Sequence, residues 1–71
     1  MTFRYHKLRA RIIEKYGTLS KFAKVAHTSQ SRVSELLNNK ANFSQEEIVQ
    51  WSILLDIEME QIGEFFFLLN S

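Results

Sequence analysis

The stretch "TLSKFAKVAHTSQSRVSELLNN", residues 18–39, decides how the chain is read. It holds two short helical patterns separated by a break. In the first, Phe22, Ala23 and Ala26 share one face while Lys21 and Lys24 lie on the other. Thr18 has the chemistry of an N-cap, which predicts a helix over roughly 19–26. His27-Thr28-Ser29 interrupts the apolar period, and Ser29 is placed to cap a second helix from Gln30 to about Asn38. There Val33, Leu36 and Leu37 fall within about 100° of arc at the α-helical turn angle. Ser31, Glu35 and Asn38 fall on the opposite side. Asn38-Asn39 is a good stop, because Asn accepts left-handed backbone.

Helical patterns continue on both sides of this pair. Over residues 3–16, Tyr5, Leu8, Ile12 and Tyr16 form an apolar stripe, and Arg4, Lys7, Arg11 and Lys15 form a basic one. Gly17 ends that helix. Further on, Ser44 and Glu47 have the spacing of a capping box, and Phe43 with Ile48 that of a hydrophobic staple. A helix is therefore predicted from Gln45 to near Asp56, burying Ile48, Trp51 and Leu55. A fifth begins near Met59 with Ile62, Phe65, Phe66 and Leu69 inward; Glu58 is a poor N-cap, so its start is expected to fray. No linker, repeat or low-complexity stretch intervenes, and the 71 residues read as one all-α, five-helix domain.

Composition narrows the function. Cys is absent, which excludes disulfides and thiolate metal sites. His6 and His27 have no spacing partner for a metal, and no Gly-rich phosphate loop is present. The Ser residues sit where capping suffices. No metal, cofactor or enzymatic activity is expected. The longest apolar run, Phe65 to Leu69, is too short to span a bilayer, and the N-terminus lacks a secretory-type apolar segment. A cytoplasmic protein without membrane contact is expected. The net charge is +1, but residues 1–43 carry nine basic against two acidic residues, while 44–71 carry six acidic and no basic ones. Such a split predicts a basic side that meets a polyanion.

Two short helices joined by a tight turn, the second with a polar outer face, describe a helix-turn-helix over about 18–38. An α-helix fits the major groove, and short amide and hydroxyl side chains reach base edges there. The stretch "TLSKFAKVAHTSQSRVSELLNNKANFSQEEI" resembles the Cro/repressor-type (XRE-like) helix-turn-helix domain. More narrowly, from Leu8 to Phe67 the chain looks like the small Cro-like phage proteins of Gram-positive hosts. That resemblance implies a compact lambda-repressor-like fold and sequence-specific binding of double-stranded DNA.

It further implies base reading by Gln30, Ser31, Ser34 and Glu35. Phosphate contacts are expected from Thr18, Lys21, Ser29, Arg32, Asn38 and Lys40. Two positions depart from the family. His27 stands where a turn Gly is usual, and Leu19 where a phosphate-gripping Gln is common. Glu35 has two readings: acceptor from a cytosine amino group, or partner of Arg32 three residues earlier. Five consecutive apolar residues at 65–69 cannot all face one core. Either the C-terminus wraps over its own core, or Phe66, Phe67 and Leu68 form a partner interface, as in a homodimer on a near-palindromic operator. The competing function is a phage modulator that acts by binding the cognate repressor protein.

Overall fold

The computed structural model describes residues 2–69. Five α-helices follow one another: α1 (His6–Tyr16), α2 (Leu19–Val25), α3 (Gln30–Leu37), α4 (Gln45–Leu54) and α5 (Ile62–Phe66). A single 3-10 turn at Met59–Gln61 leads into α5. Among the described residues the sole extended pairing is an isolated antiparallel bridge between Phe3 and Leu69. The chain is all-α, and no helix is long and apolar enough to cross a membrane.

The core is built on the predicted stripes. Leu8, Ile12, Phe22, Ala23, Ala26, Val33, Leu36, Leu37, Trp51 and Leu55 are all buried. A chain of aromatic rings ties the elements together. Trp51 lies between Phe22 and Phe43, with ring centroids 4.8 and 4.9 Å away and both contacts edge-on. Phe43 continues edge-on to Phe66 at 5.2 Å and to Tyr5 at 5.5 Å. Edge-to-face contacts align the positive rim of one ring with the negative face of the next. One loop residue thus joins α4, α5 and the start of α1.

The capping box at Ser44 and Glu47 forms as the sequence predicts, each backbone N–H donating to the other side chain at 2.9 and 3.1 Å. The 3-10 turn opens with the Glu58 N–H donating to Gln61 Oε1 at 3.1 Å.

Two boundaries differ from the periodic pattern, and both have long-range causes. Phe3 lies outside α1 because its N–H donates to Asn39 Oδ1 (2.9 Å) and its carbonyl accepts from Asn39 Nδ2 (2.8 Å). The Arg4 N–H donates to the Leu68 carbonyl at 2.7 Å, so the two chain ends lie side by side. The apolar run 65–69 is correspondingly not one helix. Phe65 and Phe66 are buried at the end of α5, whereas Phe67 and Leu69 are each 51% exposed.

The expected partner surface is therefore corrected. Phe66 is 1% exposed and belongs to the core; of the three residues named for an interface, Phe67 alone is exposed, and Leu68 is half-buried. Leu69, expected inside, stands outside because the chain leaves the helix before reaching it. A larger apolar exposure occurs on α4, where Val49 is 57% and Ile53 72% exposed.

The charge split closes partly within the molecule. Lys7 pairs with Glu64, and Lys15 with Asp56. Arg11 donates to the Leu55 and Asp56 carbonyls at 2.6 and 3.3 Å, where α4 ends and its dipole favours a cation. Its guanidinium also stands 5.0 Å from the centre of the Phe65 ring. The basic stripe of α1 thus faces the acidic C-terminal half. Arg4, Arg9, Lys21, Lys24 and Lys40 make no ion pair among the described residues.

Candidate nucleic-acid interface

Local chemistry fixes the α2–turn–α3 pair at both helix starts. The Thr18 hydroxyl accepts from the Lys21 N–H at 3.1 Å, and the Ser29 hydroxyl from the Arg32 N–H at 3.0 Å. Each hydroxyl keeps its own proton for donation. The turn is a two-bond Schellman arrangement: the His27 N–H donates to Lys24 (3.2 Å) and the Thr28 N–H to Ala23 (2.9 Å). It requires left-handed backbone at His27, whose φ is 56°. The same arrangement ends α3, through Asn39 at φ 60°, and α4, through Asp56 at φ 54°. Three helices stop in this way without a glycine.

From behind, α4 braces the pair at two points. Gln50 Nε2 donates to the Ala26 carbonyl at 3.0 Å, which holds the turn. Arg32 grips Glu47 with a guanidinium fork, Nε to Oε2 at 3.1 Å and Nη2 to Oε1 at 2.9 Å. A further bond runs from Nη2 to the Asn42 carbonyl at 3.5 Å. Such bidentate pairs fix orientation as well as distance. The Glu47 hydrogen bond raises the Arg32 pKa above its ordinary value, and the charges of Glu47 and Glu35 add to this. Burial pushes the Glu47 carboxyl up, but hydrogen bonds from Arg32 and Ser44 outweigh it and hold the group below the usual carboxylate range.

The outer face of α3 carries the expected base-reading set. Gln30, Ser31 and Glu35 are exposed and Ser34 is half-buried. Together they line a shallow depression of about 430 Å³. Asn38 folds back on this face, its Nδ2 donating to the Ser34 carbonyl (2.9 Å) and hydroxyl (3.2 Å). Larger depressions lie elsewhere, about 650 Å³ over Ala10, Ile13 and Leu37 and about 550 Å³ over Val49 and Ile53. Volume does not choose between them, because a helix that enters a DNA groove is itself the convex partner.

The six expected phosphate contacts divide by what already holds them. Thr18 and Ser29 are helix caps at the starts of α2 and α3, and Lys21 and Lys40 are exposed cations. Asn38 is engaged with Ser34. Arg32 is held by Glu47, with 38% of its side chain still exposed. The Arg32–Glu35 pair that the sequence spacing allows is absent. Sequence reasoning missed Gln50 and the second role of Glu47. The capping box already accounted for Glu47, and nothing local flags a partner fifteen residues away.

Residues 1–68 match the family model described as "Protein of unknown function (DUF739)". The chain belongs to the DUF739 family. No curated protein matches the sequence. In this DUF739 protein the matched span contains the whole α2–turn–α3 face together with the α4 residues, Glu47 and Gln50, that brace it.

Proposed function

We propose that this DUF739 protein is a sequence-specific double-stranded DNA-binding transcriptional regulator, a Cro-like phage repressor that acts by operator occlusion in the host cytoplasm. One observation carries the reading. The short helix α3 buries Val33, Leu36 and Leu37 and leaves Gln30, Ser31, Ser34 and Glu35 along its outer side, braced by a second helix across a tight turn. That is the arrangement a helix-turn-helix needs to hold one helix in the major groove.

The chemistry follows from the side chains. Gln30 presents a donor and an acceptor suited to adenine N6 and N7, and Ser31 suits several bases. The Thr18 and Ser29 hydroxyls stand at two helix N-termini, where orphan backbone N–H groups favour phosphate. Lys21, Lys24 and Lys40 supply the unpaired positive charge. A two-fold dimer on a near-palindromic operator would set two α3 helices about 34 Å apart. The bound protein then covers the promoter against polymerase or a competing repressor.

Fluorescence anisotropy against the phage's own early promoter region, set beside random duplex at several salt concentrations, tests this. Six lysines in a dimer, Lys21, Lys24 and Lys40 of each subunit, predict a slope of about −5 in log K against log salt. Equal affinity for promoter and random duplex at low salt rejects the repressor. A second reading, a modulator that binds the cognate repressor protein, is favoured by the exposed Val49 and Ile53 on α4. It predicts tight association with that repressor and loss of it in Ile53→Lys.

A further inference from the structure

Arg32 and Glu35 are three residues apart on α3, the spacing at which opposite charges on a helix meet. They do not pair. The Arg32 fork is turned to Glu47 and the Asn42 carbonyl, and Glu35 is left exposed with no hydrogen bond or ion pair among the described residues. Glu35 lies in the same depression as Gln30, Ser31 and Ser34. Among these four it is the one acceptor-only group, since an ionised carboxylate has no proton to give.

We infer that Glu47 is a positioning residue for base selection: by holding Arg32 it keeps Glu35 unpaired, and Glu35 then reads an exocyclic amino group, cytosine N4 or adenine N6, in the major groove. The inference rests on the DNA-binding reading above and specifies how that surface discriminates. A carboxylate with no hydrogen-bond partner accepts from N4 or N6 but is repelled by guanine O6 and N7 and by phosphates. It therefore selects against wrong bases and against non-specific backbone contact. Released from Glu47, Arg32 would neutralise Glu35 or offer a fork of donors, and a fork of donors matches guanine. The α3–α4 ion pair thus sets which kind of base edge the helix accepts.

The test uses the full chain, a panel of duplexes varied at each operator position, and the variants Glu35→Ala, Glu47→Gln, Arg32→Ala and the Arg32→Ala/Glu47→Gln double. Glutamine at 47 can still close the capping box, so the fold survives, which a thermal melt verifies. Wild type is expected to lose about tenfold in affinity when one amino-bearing base is replaced, and that base identifies N4 or N6 as the ligand. Glu35→Ala brings the preference to within about twofold and strengthens random-duplex binding. Glu47→Gln does the same although it touches no DNA.

Arg32→Ala keeps the preference, because Glu35 stays unpaired, and the double variant regains it. A merely structural ion pair predicts instead that Arg32→Ala and Glu47→Gln fail alike and that the double variant is no better; that result overturns the inference. A preference that survives Glu35→Ala overturns it too. A wild type that selects no duplex refutes the DNA-binding reading itself.

Discussion

His27 and Asn39 hold nearly the same left-handed backbone, at φ 56° and 60°, yet glycine is predicted to act oppositely at the two sites. A left-handed conformation costs an L-residue roughly 1–2 kcal/mol, which glycine avoids. Glycine gives back about 0.5–1 kcal/mol through its freer unfolded chain. The exposed His27 side chain makes no hydrogen bond among the described residues, so His27→Gly should stabilise by about 0.5–1 kcal/mol. For a domain of this size that is a rise in Tm of about 2–8 °C. Asn39→Gly gains less relief, because Asn tolerates left-handed backbone, and loses both bonds to Phe3, each worth about 1 kcal/mol. Its net change is a loss of about 1–2 kcal/mol and a fall in Tm of at least about 4 °C. Thermal unfolding followed by far-UV circular dichroism reads both. If the two variants shift Tm in the same direction, the assignment of Asn39 as the tie between the N-terminal arm and α3 is wrong. A fall in His27→Gly refutes the turn strain.

Three further outcomes are expected. The folded Glu47 carboxyl titrates below its unfolded value of 4.5, so its contribution is full above that pH and is lost as pH falls through the lower, folded pKa. Urea midpoints measured from neutral pH downward should therefore drop less steeply in Glu47→Gln than in wild type; an identical acid limb contradicts the pairing. Phe43→Ala removes the ring that joins Tyr5, Trp51 and Phe66 and should cost about 3 kcal/mol, lowering Tm by more than about 10 °C. A fall of only a few degrees would show that the ring chain is not a main support. Ser52 Oγ is buried without a hydrogen-bond partner among the described residues, so Ser52→Ala should stabilise by about 1 kcal/mol in chemical denaturation, whereas destabilisation would reveal a bond to that hydroxyl.

What the sequence disclosed, and what it hid, follows the range of the forces. Helices α1 to α4 and their inner stripes were legible because the 3.6-residue apolar period and the caps at Thr18, Ser29 and Ser44 are local signals. The polar outer row on α3 was legible for the same reason. The start of α1 was not, since the residue that takes Phe3 out of the helix is Asn39, far along the chain. The pairing of Arg32 with Glu47 was not legible, because Glu47 lies on another helix and already has a capping role. The outer face of α4 escaped notice because apolar residues surround that helix, so no period marks Val49 and Ile53 as outside. The run 65–69 misled in the opposite way. Its apolar period predicts a continuous helix, and the chain-end pairing that stops α5 at Phe66 has no local signature.

On the proposed DNA-binding function, the outer face of α3 is the surface that meets the duplex. Titration of isotopically labelled protein with the promoter duplex, followed by amide chemical shifts, tests it most directly. The largest changes are expected on residues 29–35 and on the start of α2 at Thr18 to Lys21, saturating with duplex but not with a sequence-scrambled control. Changes centred on Val49 to Ile53 of α4, or none beyond those produced by the scrambled duplex, would contradict it.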